Sequence, residues 1–287
     1  MNEFKDDLDI IIQSLDISSK RLANDLFFDE PTLCNWLNGK FEPDPRSKED
    51  IYTYAYEKGL RLNEAYEKPL SDLGNNQGFI HLYHGSRTGL IGDINLDKSF
   101  PHNDLGRGFY LGENLSQSAM FVSDNHKSKV YSFGLYPKKL KIKKYEVDDE
   151  WIFLVSYNRN LLNEYKDSDK IKKIIKDANK YDVIIAPIAD NRMFDIIREF
   201  VDSNISIESC KYALAALDLG KQYVLKTEKA VNSIGLIKEY YLCKKEKQDY
   251  IIHRNTLQSK RIQEIKNFRS KFKTGHYIEE LLWGRWI

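Results

Sequence analysis

The chain has 287 residues and a formal net charge of +1, with 41% hydrophobic and 13% aromatic residues. This length and composition are sufficient to bury a sizeable core and to accommodate two domains. No apolar stretch approaches the roughly 18 residues that a membrane-spanning helix needs. The acidic start lacks the apolar core of a signal peptide. Three widely spaced cysteines form neither a disulfide framework nor a metal-ligand cluster. We therefore expect a reduced, cytoplasmic protein that needs no metal and has no membrane partner.

The near-neutral total hides an uneven charge distribution. Residues 1–75 contain 9 Lys and Arg against 16 Asp and Glu, whereas the remainder contains 35 basic against 27 acidic residues. An acidic segment joined to a basic one favours association between the two, or attraction of a polyanion to the basic part.

The first 75 residues predict a small all-helical domain. Apolar spacing and capping residues indicate helices over 4–15, 18–26, 30–37 and about 47–58. This pattern resembles the Cro/repressor-type helix-turn-helix. Glycines in the segment 74–78 predict a linker after it.

The predicted recognition helix is poorly suited to DNA. It has no Lys or Arg between Asp29 and Asn38, although Lys40, Arg46 and Lys48 follow shortly afterwards. Phosphate neutralisation by basic side chains drives most DNA affinity. We therefore favour docking of a partner protein or self-inhibition over DNA binding for residues 1–75, and keep DNA as the alternative.

The rest of the chain alternates between strand and helix patterns, which predicts an α+β fold. Alternating or continuous apolar runs indicate strands over 79–83, 108–111, 130–135, 140–145, 183–188, 222–226 and 237–243. Helical spacing indicates helices over 115–123, 149–158, 168–179, 191–202, 206–218 and 249–273. We expect a second domain over 76–245 and a basic helical extension over 246–287 packed on it.

Three short motifs in this central region carry the functional signal. In chain order they are Tyr83–Ser86, Gly106–Tyr110 and Ser116–Phe121. Together they resemble the NAD-binding signature of the diphtheria-toxin and poly(ADP-ribose) polymerase branch of ADP-ribosyltransferases. The resemblance implies a fold of split antiparallel β-sheets with surrounding helices.

A second resemblance covers roughly the middle half of the chain. The segments Leu82–Val122, Tyr181–Asp190 and Gln222–Ala230 are similar to an uncharacterised bacterial family placed in the same clan. A His-Gly-Ser triplet alone would be a weak signal, but three segments in the right order are more specific.

The resemblance assigns roles that agree with the chemistry of NAD. The nicotinamide ring is a flat cation, so stacking it between Tyr110 and Phe121 would combine aromatic packing with cation–π attraction. Gly85 would offer its backbone to the carboxamide, because a side chain there would block close approach. Ser118 would add a further hydrogen bond, and His84 would hold the adenosine ribose.

Three other residues are candidates for cofactor binding. Ser86 presents a second small hydroxyl beside the first motif. Arg107 is a charged donor for the pyrophosphate or a solvated loop residue. Asp190 either orients a group of the pocket or caps the helix that follows it, a position that Asp favours.

The third catalytic position of such sites is a Glu or Gln on a later strand, and here we assign it to Gln222, with Glu228 as the competitor. A neutral amide cannot act as a base and stabilises a cation less well than a carboxylate does. This departure argues against polymer synthesis. It leaves mono-transfer, slow NAD hydrolysis or an impaired enzyme open.

The sequence thus predicts an NAD-dependent mono-ADP-ribosyltransferase, with a toxin or an anti-phage effector as its context. NAD is the substrate, and the acceptor is a macromolecule whose nature the sequence does not reveal. The alternatives are an NAD-sensing helix-turn-helix regulator and an NAD glycohydrolase. RNA 2′-phosphotransferase chemistry ranks last, because Arg87 and Arg107 alone would have to serve as its arginine cluster.

Overall fold

The computed structural model describes residues 3–189, 191–216, 220–268 and 275–283. The chain divides into two units, neither of which is continuous in sequence. Unit 1 comprises Met1–Gly89, Asn114–Gly134 and Leu236–Arg254, and unit 2 comprises Leu90–Glu113, Leu135–Gly235 and Asn255–Ile287. The mixed α+β class predicted from the sequence is confirmed.

The helices and strands are numbered here in chain order. The helices are α1 (Glu3–Ser14), α2 (Ser19–Leu26), α3 (Glu30–Leu37), α4 (Pro45–Glu57), α5 (Leu62–Ala65), α6 (Glu67–Gln77), α7 (Leu115–Val122), α8 (Asp149–Asn158), α9 (Asp169–Ala178), α10 (Asn191–Val201), α11 (Ile207–Ala215), α12 (Glu228–Val231), α13 (Lys244–Phe268) and α14 (Ile278–Trp283). The strands are β1 (Ile80–Ser86), β2 (Phe109–Gly112), β3 (Lys129–Leu135), β4 (Ile142–Lys144), β5 (Val183–Pro187), β6 (Lys221–Leu225) and β7 (Ile234–Tyr240).

Two of the first four helices, α2 and α4, begin at capping side chains that the sequence supplies. The Ser18 hydroxyl accepts a hydrogen bond from the backbone N–H of Arg21, and the Asp44 carboxylate accepts from two N–H groups at the start of α4. Proline stands in the first turn of α3, where its missing N–H has no cost. Apolar side chains of these helices share one buried cluster with Cys243.

The predicted linker at 74–78 is wrong, because α6 continues through Gln77. Gly78 ends the helix in the left-handed conformation, with φ 76°, which is the usual role of glycine after a helix. Gly74 is required by packing, since a Cβ there would lie 2.8 Å from the carbonyl oxygen of Phe79. The glycines therefore form a helix end and a close contact instead of a spacer.

A buried carboxylate connects the first helix of unit 1 to its last strand. Asp7 on α1 accepts hydrogen bonds from the hydroxyls of Tyr52 and Tyr66, each at 2.5 Å, and from Lys238 Nζ on β7 at 2.9 Å. Asp7 and Lys238 are both buried. A charge removed from water is tolerated only when it is paired and hydrogen-bonded. The N-terminal helices are thus part of unit 1 and are joined to β7 by this network.

A second carboxylate is buried at the start of α13. Asn63 Nδ2 donates to both oxygens of Glu246, at 3.1 and 2.9 Å, and to the carbonyl of Tyr241. Burial raises the pKa of Glu246 from its usual 4.5 to about 7, and the Asn63 amide partly opposes this. The Tyr241 and Tyr56 hydroxyls add further links, to Glu49 and Asp249 respectively.

Each unit contains strands. In unit 1, β3 lies between β1 and β7. In unit 2 the order is β4-β5-β6-β2; β4 pairs with β5 in parallel, whereas β5–β6 and β2–β6 are antiparallel. The parallel pair differs from the all-antiparallel arrangement that the resemblance implies.

One face of the unit 2 sheet packs against the helices α8, α10 and α11. Residue partners across the strands share a face, so Tyr110 lies beside Val224, and Gln222 lies between Gly112 and Ala186. Val224 and Ala186 belong to a buried cluster that also contains side chains of α8, α10 and α11. Gln222 is thus a polar residue on the face of the sheet that packs against these helices.

Within the described part of the chain, no helix has both the length and the apolar character needed to cross a membrane. The side chains of the basic residues that the sequence places along 258–274 lie outside the described residues.

Replacing Lys238 by Met should lower the free energy of unfolding by about 3–5 kcal/mol, because Asp7 would stay buried without its cation. The matched control is Lys129→Met on β3, which breaks a partly exposed pair with Glu239 and should cost about 0–1 kcal/mol. Urea unfolding of both variants measures the difference. Equal losses would contradict the role of the buried pair.

Glu246 should make stability depend on pH. Its carboxyl binds a proton more tightly in the folded protein than in the unfolded chain, so stability should fall as the pH rises from 4.5 to about 7. Glu246→Gln stays neutral and should lose this part of the pH dependence. Thermal unfolding of both proteins at intervals across this range measures it, and parallel curves would refute the assignment.

Candidate functional site

The residues that the sequence predicts for NAD binding divide between the two units. Unit 1 contains His84, Gly85, Ser86, Ser118 and Phe121, and unit 2 contains Arg107, Tyr110 and Gln222. Asp190 lies outside the described residues. Each group is described below within its own unit.

In unit 1, the contact between β1 and α7 explains the glycine of the first motif. A Cβ on Gly85 would clash with the backbone oxygen of Ser118 and lie 3.0 Å from a methyl group of Val122. The Ser118 hydroxyl donates to the carbonyl of Tyr83 at 3.2 Å. Because its proton is used in this bond, Ser118 can offer a ligand only an acceptor.

Phe121 lies in the last turn of α7, and its side chain is 69% exposed. The guanidinium of Arg87 is positioned over this ring at 5.8 Å from its centroid, and Arg87 also pairs with Asp124 at 3.5 Å. The ring therefore already accepts a planar cation on one face, by the same attraction that would hold a nicotinamide ring.

The remaining unit 1 candidates lie at the end of β1. His84 is half-buried and alternates with Gly85, so the two face opposite sides of the strand. The Ser86 hydroxyl donates to the carbonyl of Gly89 at 2.9 Å, and Gly89 adopts φ +87°. Ser86 thus stabilises a tight turn directly after the motif.

In unit 2, Tyr110 fixes the loop that precedes it. Its hydroxyl donates to the carbonyl of Gly106 at 2.6 Å and accepts from the N–H of Leu105 at 3.1 Å. Burial raises the pKa of this hydroxyl well above its usual value, and the ring packs against the core of unit 2. Tyr110 is therefore also a structural anchor, a role that the motif alone does not indicate.

Arg107 contributes to the same loop. Its Nη1 donates to the carbonyls of Asp97 and Ser99, the latter at 2.6 Å. The Ser99 hydroxyl in turn accepts from the N–H of Gly108. This nitrogen of Arg107 thus supports the backbone of the loop.

Lys226, directly after β6, closes the loop from the other side. Its Nζ donates to the carbonyls of Leu105 and Arg107, each at 2.5 Å. Burial lowers the pKa of Lys226 to about 8. The ammonium group of a lysine has three N–H donors and no acceptor. It therefore suits a position surrounded by carbonyl oxygens.

Gln222 is buried on β6, and its neighbours fix the orientation of its amide. Nε2 donates to the carbonyl of Pro187 at 3.0 Å and faces a carboxylate oxygen of Asp104 at 3.4 Å. Both partners are acceptors only, so the NH₂ group must point towards them. The competitor Glu228 is exposed in the first turn of α12, where a carboxylate complements the helix dipole. Gln222 is thus a buried polar residue of β6, whereas Glu228 lies on the next helix and is exposed.

Asp104 is the residue of this site that sequence reasoning missed. Its side chain is 9% exposed, and its Oδ1 accepts from Arg159 Nε at 2.8 Å and pairs with Nη2 at 2.5 Å. The backbone N–H of Ala189 favours the ionised form of the carboxylate. Burial raises the pKa of Asp104, and the Arg159 guanidinium opposes this. Asp104 lies in a loop rich in Asp, Asn and Gly, so no local sequence signal distinguishes it.

Similarity to known proteins supplies a family. The family described as "Protein of unknown function (DUF3990)" matches residues 80–236, more than half of the chain. The chain belongs to this family. The DUF3990 region includes the three motifs, Asp104 and Gln222, and it begins after the N-terminal helices. Neither the curated proteins nor the solved structures include a significant match.

Two cavities open on unit 2 within the DUF3990 region. One, of about 370 Å³, is lined by Lys166, Lys172 and Lys176, and a second, of about 280 Å³, is lined by His102. Tyr157 and Lys166 border both of them. Neither cavity contains a predicted NAD-binding residue. Among the residues with described side chains, no group of three or more His, Cys, Asp or Glu is arranged to hold a metal ion.

Tyr110→Phe separates the anchoring hydroxyl from the ring. It leaves the Leu105 N–H and the Gly106 carbonyl without their partner, which should cost about 1–3 kcal/mol of stability. It should also accelerate hydrogen exchange at the Leu105 amide.

The control for this substitution is Tyr157→Phe, which removes a partly exposed hydroxyl from the same unit. It should change neither quantity measurably. If Tyr110→Phe leaves the exchange of Leu105 unchanged, the hydroxyl does not anchor this loop.

Proposed function

We propose that this DUF3990 protein is an NAD-dependent mono-ADP-ribosyltransferase of the cytosol. It would transfer ADP-ribose to a macromolecular acceptor and release nicotinamide. A toxin or an anti-phage effector is the biological role in keeping with this chemistry. The observation that carries the proposal is the exposed ring of Phe121, on a helix packed directly against Gly85, with a planar cation over one face.

The unit 1 residues support binding of the nicotinamide end of NAD. Phe121 offers an aromatic face to a cation, and the pyridinium ring of NAD is flat and positively charged, as the Arg87 guanidinium is. Because Ser118 donates to Tyr83, its oxygen is available to accept from the carboxamide NH₂. In this proposal the backbone of Gly85 contacts the same carboxamide, and His84 holds the adenosine ribose.

The unit 2 residues support stabilisation of the reacting ribose. Departure of nicotinamide generates an oxocarbenium-like ribose, and the site must favour that state over the bound substrate. Gln222 would accept a hydrogen bond from a ribose hydroxyl through Oε1, because Nε2 is engaged by Pro187 and Asp104. An amide contributes a dipole without a full charge, which is in keeping with single transfers and against polymer synthesis.

The decisive experiment supplies NAD labelled on its adenylate phosphate, together with a bacterial lysate. The label should enter a macromolecular fraction, and protease or nuclease treatment of that fraction identifies the acceptor class. Label recovered only as ADP-ribose, without any macromolecule, would instead identify an NAD glycohydrolase. Unchanged NAD under all conditions would refute the proposal, and salt-dependent retention of specific DNA by the full chain would then favour the regulator.

Phe121→Ala tests the stacking directly and avoids the loop-anchoring role of Tyr110. Loss of aromatic stacking and cation–π attraction should weaken NAD binding about tenfold or more, as measured by calorimetry. The matched control is Phe41→Ala, which removes another exposed phenyl ring of unit 1 and should leave NAD affinity unchanged. Equal affinities of the two variants would refute a nicotinamide site at Phe121.

A further inference from the structure

Gln222 and Asp104 form a pair whose polarity is fixed by their surroundings. The carboxylate of Asp104 is held by Arg159, whose Nε and Nη2 both contact Oδ1. The other oxygen of Asp104, Oδ2, faces Gln222 Nε2 at 3.4 Å. The carbonyl of Pro187, at 3.0 Å, is a second acceptor for the same nitrogen. A flipped amide would place its oxygen against two other oxygens.

We infer that Asp104 is a positioning residue, which holds the Gln222 amide so that Oε1, and not Nε2, is presented to the substrate. The inference rests on the proposed function for the identity of the substrate, a ribose whose hydroxyl donates to Oε1. It also assigns a cause to the glutamine at this position. A glutamate here would bring a second carboxylate within about 3.4 Å of Asp104, and like charges that close destabilise each other.

The surroundings of Asp104 explain why this arrangement is stable. Arg159 supplies the positive charge, and the backbone of Ala189 also favours the ionised form of Asp104. The partners of Gln222 across the sheet are Gly112 and Ala186, two small residues. Their size leaves space for the long amide side chain on the core face of the sheet. The pair is therefore preorganised before any ligand binds, as electrostatic stabilisation of a transition state requires.

A double-mutant cycle tests the polarity of the pair without depending on activity. Q222E places two carboxylates face to face and should lower the melting temperature. D104N keeps an oxygen for Arg159 and turns an NH₂ group towards position 222. There the new NH₂ group faces the NH₂ group of Gln222, so D104N should also lower the melting temperature.

In the double variant D104N/Q222E the NH₂ group at position 104 faces the carboxylate at position 222. The melting temperature should therefore fall by less than the sum of the two single losses. The contact of position 222 with Pro187 is common to both Q222E proteins and cancels in the cycle. Strictly additive losses would overturn the inference.

Kinetics test whether the orientation serves the reaction. D104N should lower kcat for nicotinamide release from NAD about 100-fold, with little change in KM, because the contact with Oε1 matters most when charge develops on the ribose. The matched control is D182N. Asp182 is another buried carboxylate of unit 2, paired with Lys229 instead of an arginine, and its loss should lower stability without lowering kcat.

The two possible failures are distinguishable. Equal effects of D104N and D182N on kcat would overturn the positioning role even if the wild-type protein consumes NAD. Absence of NAD consumption by the wild-type protein would refute the proposed function, and the melting-temperature cycle would still decide whether Asp104 sets the orientation of the Gln222 amide.

Discussion

A carboxylate that is removed from water must be surrounded by donors, and each unit of this protein is organised by that requirement. In unit 1, Asp7 accepts hydrogen bonds from two tyrosine hydroxyls and from the ammonium group of Lys238. In unit 2, the carboxylate of Asp104 binds the guanidinium of Arg159 and faces the amide of Gln222. These donors come from segments far apart in sequence. Each buried carboxylate therefore requires particular helices, strands or loops to come together. Loss of one of its partners destabilises the folded protein.

The loop that contains Asp104 is itself held in place by side chains from other parts of unit 2. Tyr110, Arg107 and Lys226 all bind backbone groups between residues 97 and 108. Loops are usually mobile, and backbone groups of a loop usually bond to water. Here the side chains replace that water, so the position of Asp104 is determined by a rigid support. A residue that holds another group within a fraction of an ångström needs this kind of second layer.

Most helices could be predicted from the sequence because their signals are local. Ser18, Asp44 and Asp148 accept hydrogen bonds at helix starts, and capping depends only on neighbouring residues. The linker prediction was wrong because the local sequence around Gly74 and Gly78 does not distinguish a linker from a helix end. Their roles depend on Phe79 and on the end of α6, and a glycine-rich segment has the same appearance in a linker and at a helix end.

The candidate residues were nominated only where they form contiguous motifs. A resemblance to a family motif suggested Gly85 and Phe121, but it did not reveal that Gly85 is needed for packing of α7. Asp104 could not be found, because its burial depends on Arg159 and Gln222, which are 55 and 118 residues away. A polar residue in a loop carries no sign of such partners. Short-range patterns therefore locate motifs, whereas long-range pairing determines the electrostatics around them.

That pairing bears on what the site can stabilise. A bare carboxylate at position 222 would place a full negative charge against a developing ribose cation. In the structure the charge of Asp104 lies one amide further away and is paired with Arg159, so much of its field is cancelled. Coulomb attraction falls with distance and with the local dielectric constant, and a neutralised charge contributes mainly by polarising the amide in front of it. In the proposed function, Gln222 would therefore act as an oriented dipole supported by a paired charge, with moderate stabilisation of a cation and strict control over which atom of the amide the ligand meets.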